Sequence, residues 1–248
     1  MTAGTDVGEM TVPLRDHGAR QLLVFGHILH EEGETSLVRR LAPRLRRFYD
    51  VGANYGWYSR LVALSAPHVA VTAVEANPML LPFLGSNVLE GTDVLSCALS
   101  DAVGTLVFHV SDSSVLGSAH RVVGKPIEVP CQTLDSIVAR LGDVDLVKCD
   151  VEGGEMAVLR GARALRDLSQ PPLWLMEADE QFLQEVGESY NELHAELSSG
   201  GPVAYYRADA DGFVNLLGGG LSDLRGTSDV NVLVVPDARQ DLIAGLIR

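Results

Sequence analysis

The sequence predicts an α/β fold, a mainly parallel β-sheet with helices on both faces. Three observations predict it. From Phe48 onward, short apolar runs alternate with segments of helical period. The apolar runs are continuous rather than alternating, as expected of strands covered on both faces. The 248 residues, 46 % of them hydrophobic, suffice for one such domain with a large core and are too apolar for a disordered chain.

The elements follow in order. Residues 1–20 mix Gly, Thr, Asp and Pro and read as a poorly ordered lead-in. Residues 21–47 are weakly helical. Within them, the run of Arg39, Arg40, Arg44, Arg46 and Arg47 could form an anion patch. The simpler reading is the solvated face and C-terminal end of a helix, where cations suit the dipole. FYDVGAN (48–54) is a strand stopping at glycine, and YGWYSRLVALSA (55–66) is a helix. HVAVTAVEAN (68–77) is a strand, and PMLLPFLGSNVLEG (78–91) is a helix with Pro78 in its first turn. DVLSCALSD (93–101) is a third strand, and GTLVFHVSDSS (104–114) alternates as a half-exposed strand does. LDSIVARLG (134–142) is a helix and VDLVKCD (144–150) a buried strand. GEMAVLRGARALRD (154–167) reads as one helix, with Met156, Leu159, Ala162 and Leu165 or Leu168 on its apolar face. PPLWLMEAD (171–179) is a strand, and ESYNELHAELSSGG (188–201) is a helix ended by Gly200 and Gly201. PVAYYRAD (202–209) and DVNVLVVPD (229–237) close the sheet with little helix between them, so its end is antiparallel. The economical division is a lead-in and helical segment, 1–47, before one domain, 48–248.

Nineteen Lys and Arg face 33 Asp and Glu, a formal charge of −14. That balance disfavours nucleic acid and anionic membranes as partners, since phosphates want clustered cations. Lysine occurs only at Lys125 and Lys148. Cys97, Cys131 and Cys149 are isolated, without zinc spacing or a disulfide framework, which fits a reducing cytoplasm. The N-terminus does not read as a signal peptide, and no run approaches the roughly 18 apolar residues of a membrane span.

In an open α/β sheet, ligands bind at the carboxyl ends of the strands near the switch point. The turn after the first predicted strand carries Gly52-Ala53-Asn54-Tyr55-Gly56, preceded by Asp50. This is GxxxG, not the GxGxxG that seats a pyrophosphate on a helix terminus. An acid there repels pyrophosphate and attracts an amino-bearing ligand. Glu75, about 20 residues past the turn, ends the second strand, where a carboxylate grips ribose hydroxyls. Taken singly, GxxxG is an ordinary tight turn and Glu75 a solvated strand end. Together they describe a site for S-adenosylmethionine.

On these residues the chain resembles the FkbM family of S-adenosylmethionine-dependent methyltransferases. The resemblance covers about residues 47–180, with a fainter echo at 229–236. YDVGANYGWYS (49–59) resembles the family's glycine motif. VEANP (74–78) resembles its ribose motif, although Ala76 stands where the family usually has proline. ALSDAVG (98–104) resembles its adenine-side strand and hairpin, and DLVKCDVEGGEMAVLRGA (145–162), preceded by LDSIV, its most specific signature. The resemblance implies a Rossmann-like class I methyltransferase fold with a seven-stranded sheet and an antiparallel closing strand. It implies cofactor contacts at Asp50, Gly52, Ala53, Asn54, Gly56, Tyr58, Glu75, Ala76, Asn77, Ala98, Leu99, Ser100 and Asp150. It also implies O-methylation of a hydroxyl on a sugar, polyketide or other small secondary metabolite.

Lys148 and Asp150 share one side of their strand, and Asp150 emerges at its carboxyl end. Lys148 is expected to pair with a nearby acid, since an unpaired buried lysine is costly. An alcohol acceptor needs a base, and the candidates are Asp150, Glu152, Glu155, Glu177 and His120. Glu155 could equally cap its helix. An ordinary carboxylate is a weak base for an alcohol. The alternative is a divalent metal such as Mg²⁺ on Asp150, Glu155 and Glu177, which is not the favoured reading. The insert 111–126 offers Ser113, Ser114, Gly117, Ser118 and His120 as acceptor contacts, or is a plain solvated loop. Competing readings are an N- or C-methyltransferase, a nicotinamide oxidoreductase on the same fold, and a non-catalytic relative. The expected partner is a small hydroxylated acceptor, and nothing in the sequence indicates a homodimer.

Overall fold

The computed structural model describes residues 1–248 except 14–15, 29–30, 111–124 and 228–229. The chain opens with a hairpin, β1 (Thr2–Thr5) and β2 (Gly8–Thr11), and two helices, α1 (His17–Phe25) and α2 (Glu32–Leu41). Alternating units follow: β3 (Arg47–Val51), α3 (Trp57–Ser65), β4 (Ala70–Glu75), α4 (Leu81–Asn87) and β5 (Asp93–Ser96). Three strands form a separate small sheet: β6 (Ala98–Leu99), β7 (Gly104–Val110) and β8 (Lys125–Gln132). Next come α5 (Leu134–Leu141), β9 (Leu146–Cys149), α6 (Glu155–Arg160), α7 (Arg163–Arg166) and β10 (Leu173–Glu177). The chain closes with α8 (Glu180–Glu185), α9 (Tyr190–Leu197), β11 (Val203–Ala208), β12 (Val214–Leu216) and β13 (Asn231–Pro236).

The main sheet has the order β12-β11-β13-β10-β9-β3-β4-β5. Strands β10, β9, β3, β4 and β5 run parallel, and β13 inserts antiparallel between β10 and β11. The chain moves outward one way through β4 and β5, then the other way through β9 and β10. The switch point therefore lies between β3 and β9, and a ligand crevice is expected there. Three-residue β12 extends the expected seven strands to eight.

Alternation along the strands separates two cores. Phe48, Leu146, Leu173, Leu175 and Leu233 pack on one face with Leu37, Leu41, Trp57 and Leu61. Tyr49, Val147, Trp174, Met176 and Val232 pack on the other with Ile137, Leu159 and Leu193. Side chains cap several helices: Thr133 accepts from Ser136 N at α5, and Ser189 from Glu192 N at α9.

Several elements differ from the sequence reading. The lead-in is the β1–β2 hairpin, whose Met10, with Val12 just beyond, is fully buried in the first core. Asn87 ties it down: its side chain accepts from Thr11 N at 2.6 Å and donates to Thr11 O at 2.9 Å and Tyr55 O at 2.8 Å. The arginine run is not merely a solvated face. Arg44 donates to Leu242 O and Ala244 O, and Arg46 pairs with buried Asp145, which Arg239 also grips at 2.9 Å. Pro82, not Pro78, occupies the first turn of α4. The third predicted strand breaks at Cys97 into β5 and β6. Strand β8, in a segment without a predicted strand, carries exposed Pro126 and Pro130 at alternate positions, leaving the row Ile127, Val129 and Cys131 to pack inward. The helix predicted over 154–167 splits at Gly161, where a Cβ would stand 2.0 Å from Ser100 O.

Candidate active site

Two loops meet at the switch point, one after β3 and one after β9. Gly52 has φ 77°, and a Cβ there would fall 1.8 Å from Asp150 O. Only glycine allows the two loops to touch. Gly52 N and Ala53 N both donate to Val74 O at 3.0 Å, which draws the same turn against the end of β4. Asn54 follows in the left-handed region (φ 51°), a conformation costing a non-glycine residue about 1 kcal/mol. Its Oδ1 is buried without a hydrogen-bond partner among the described residues. Gly56 (φ 83°) starts α3.

Asp50 lies under this turn, 1 % exposed. Its Oδ2 accepts from Ser59 N at 2.8 Å and Ser59 Oγ at 2.7 Å, so it caps α3 from the preceding strand. Burial raises its pKa against the opposing pull of Lys148. Any contact with a ligand amino group is therefore additional to a role inside the fold.

Glu75 ends β4, and its two oxygens take separate backbone donors: Asn54 N at 2.8 Å and Asn77 N at 2.7 Å. Burial outweighs these bonds and pushes its pKa up to about 7. Each carboxylate oxygen keeps a further lone pair. Asn77 Oδ1 accepts from Met79 N, which fixes the next turn. Ala76 packs on the small cluster of Ala98, Phe108, Val129 and Cys131. The ribose-motif turn thus adjoins β6, where Leu99 is buried and Ser100 N donates to Gln132 O.

After β9, Lys148 Nζ donates to Asp150 Oδ2 at 2.8 Å. The lysine side chain is 4 % exposed and the aspartate 28 %. Asp150, Asp50 and Glu31 together hold the lysine in its charged form and raise its pKa, despite burial. Lys148 Nζ also stands 4.8 Å from the Tyr58 ring centroid, and Tyr58 Oη donates to Glu31 Oε2 at 2.5 Å.

Glu152 adopts φ 55° in the following turn. Glu155, at the start of α6, bonds backward: Oε1 accepts from Val151 N at 2.9 Å and Oε2 from Gly153 N at 3.0 Å. Burial raises its pKa to about 7. Like Glu75 it takes two backbone donors, but both of its donors lie in one loop, whereas Glu75 joins the loops after β3 and β4. Glu177 ends β10, on the sheet face of Asp150, and pairs across the sheet with Asn231. Glu177 Oε2 and Asn231 Oδ1 are both buried without a hydrogen-bond partner among the described residues. Burial, then Asp150 and Glu155, raise the pKa of the Glu177 carboxyl and so favour its neutral form.

The family model for the methyltransferase FkbM domain matches residues 50–203. The chain belongs to the FkbM methyltransferase family. No curated protein matches it. Among solved structures, it resembles the Methanococcus jannaschii fibrillarin pre-rRNA processing protein, at 12 % identity over 95 % of this chain and 86 % of that one, with TM-score 0.47. It also resembles the precorrin-6y C5,15-methyltransferase of Geobacter metallireducens GS-15, at 15 % identity over 82 % of this chain and 86 % of that one, with TM-score 0.43.

Within the FkbM domain, the structure gathers Asp50, Lys148, Asp150 and Tyr58 in one network, with Glu155 and Glu177 beside it. Glu75, Ala76, Asn77, Ala98, Leu99 and Ser100 form the neighbouring flank. Ser113, Ser114, Gly117, Ser118 and His120 lie outside the described residues. Among the described residues, no group of three or more His, Cys, Asp or Glu side chains is arranged to hold a metal ion. Of the three donors considered for one, Asp150 pairs with Lys148 and Glu155 with two backbone N–H groups, while Glu177 Oε2 has no partner among the described residues. No helix of the described residues is long and apolar enough to cross a membrane. Sequence reasoning missed Glu31 and Asn231, both outside the matched domain. The only signal for either was the faint family echo around Asn231.

Proposed function

We propose that the protein is a cytoplasmic S-adenosylmethionine-dependent O-methyltransferase acting on a hydroxyl of a small secondary metabolite, of sugar or polyketide type. The observation that carries this reading is the juxtaposition of Glu75, clamped by Asn54 N and Asn77 N, with the Asp150 loop that Gly52 touches across the switch point. The cofactor fits the residues present. Glu75 has free lone pairs for the two ribose hydroxyls. Ala76, Ala98 and Leu99 offer apolar surface for the adenine, and Asn54 Oδ1 is an unsatisfied acceptor for an ammonium group.

Bound S-adenosylmethionine would supply an electrophilic methyl on sulfur. The chain's own residues position the acceptor and take its proton. Glu155 is occupied by backbone donors, and burial beside Asp150 and Glu155 favours the neutral form of Glu177. Asp150, paired with Lys148 and partly exposed at the rim, is the group placed to accept the proton. A carboxylate is a weak base for an alcohol, so proton transfer accompanies methyl transfer rather than preceding it. Neutral Glu177 donates a hydrogen bond to the acceptor, and in-line positioning supplies much of the rate.

Calorimetry with S-adenosylhomocysteine tests the cofactor assignment. Wild type binds, and Glu75→Ala weakens binding by at least about thirtyfold, the loss of two hydrogen bonds to a charged group. Binding of NADH in place of S-adenosylhomocysteine sinks the reading. Radiolabelled methyl transfer to a panel of glycosides and polyketide alcohols tests the acceptor class. Transfer confined to amines or activated carbon acids replaces it. Asp150→Asn retains S-adenosylhomocysteine binding and loses turnover.

A further inference from the structure

Glu31 stands at the N-cap position of α2 but makes no side-chain capping bond to its own helix. Its carboxylate turns instead to Tyr58, across the interface between α2 and α3. The helix that carries it is held from two directions. Trp57 Nε1 donates to Thr35 Oγ1 at 3.2 Å. On the other side, Arg40 Nε donates to Asp211 O at 2.8 Å and its guanidinium lies 4.3 Å from the Phe213 ring centroid. Contacts of hydrogen-bond or cation–π distance therefore run from Glu31 to Tyr58, from the Tyr58 ring to Lys148, and from Lys148 to Asp150.

We infer that Glu31, supplied by the segment preceding the matched FkbM domain, is a positioning residue that sets Lys148, and through it Asp150, by way of the Tyr58 ring. The inference rests on the methyltransferase reading for its functional meaning, because Asp150 is the proposed base. A phenol donating to a carboxylate has a more electron-rich ring, which attracts an ammonium more strongly. Glu31 also draws Lys148 directly by charge. Protonating Glu31 weakens both attractions and leaves the lysine to Asp150 and Asp50. The groups facing Glu31 are Lys148 and Asp150 at the end of β9, Tyr58 on α3, and Glu34 on its own helix. Burial, opposed by Lys148 and Tyr58, places its titration at about 6.

The two lysines make a direct test practical. Labelling the chain with lysine enriched at Cε and Nζ gives two side-chain NMR signals, from Lys125 and Lys148. Lys148→Met assigns the second. In wild type, the Lys148 signal shifts with a midpoint near pH 6, and Glu31→Gln abolishes that step. Tyr58→Phe, which keeps the ring but cuts the link, abolishes or at least halves it, and serves alone if Glu31→Gln does not fold. His27→Gln, which removes the imidazole 3.7 Å from Glu32, leaves the step in place. A step that persists in Glu31→Gln overturns the inference. So does a Lys148 signal that is flat in wild type. S-adenosylhomocysteine calorimetry on the same samples separates the two readings. Normal affinity with an unresponsive Lys148 sinks only the role of Glu31. Absent affinity in wild type sinks the methyltransferase reading whatever the lysine does.

Discussion

Glu75 and Glu155 show how one residue type serves the loops of the site. Each buries a carboxyl beneath a turn and offers its oxygens to two backbone N–H groups. Burial dominates, and both pKa values rise from 4.5 to about 7. The folded state therefore holds these protons more tightly than the unfolded chain does. Their contribution to stability is complete below about pH 4.5 and is lost as pH rises through about 7. Ribose hydroxyls donating to Glu75 favour its ionised form, so cofactor binding must expel a proton below that pH. S-adenosylhomocysteine affinity is expected to climb about tenfold per pH unit from about 5.5 to 7 and then level off. Calorimetry at pH 6 in two buffers of different ionisation enthalpy should show close to one proton released. Affinity that is flat across this range, or still climbing in Glu75→Gln, counts against the assignment.

At the scale of elements, Gly161 decides how α6 and α7 meet β6. It ends α6 against the Ser100 carbonyl, and Asp135 of α5 then accepts from Ala164 N and Leu165 N to start α7. Gly161→Ala should cost about 3 kcal/mol in urea unfolding, as an overpacked methyl with backbone opposite it would. A loss below about 0.5 kcal/mol would mean that the helix break relocates without strain. The sequence could not show this break, because the 3.6-residue period continues through Gly161 and the obstacle is a carbonyl some sixty residues earlier. The β1–β2 hairpin escaped for a related reason. Its Gly and Thr content is that of a loop, and its partner Asn87 is remote. Strand β8 was hidden by two prolines, which it tolerates although it is the central strand, because two-residue β6 pairs only with Cys131 and Gln132 and leaves that side of Pro126 and Pro130 without a partner strand. The main alternation, by contrast, was readable from Phe48 onward, since continuous apolar strands and amphipathic helices carry opposite periods. The same division holds in the site. Asp50, Glu75, Lys148 and Asp150 announced themselves by position on predicted strand ends. Glu31 did not, because an acid before a helix ordinarily means a cap, and its turn toward Tyr58 exists only in three dimensions.

At the scale of the molecule, the fold puts its chemistry at one rim of the sheet and its fastening at the other. The carboxyl ends of β3, β4, β9 and β10 carry the acids of the site. At the opposite ends Asp145, gripped by Arg46 and Arg239, ties the start of β9 to the C-terminal segment. The close approach of Gly52 to the Asp150 carbonyl joins residues about a hundred positions apart in the chain. It therefore has a consequence for folding kinetics. Contacts so distant in sequence form late, after loop closure has been overcome. The end of β4 holds the glycine loop through Val74 O and Glu75, but the Asp150 carbonyl bounds its other side only once β9 docks beside β3. In refolding from urea, tryptophan fluorescence should recover in phases, and S-adenosylhomocysteine binding competence only with the slowest. Competence that returns with an early phase would mean that the β3–β4 half shapes the loop without help from β9.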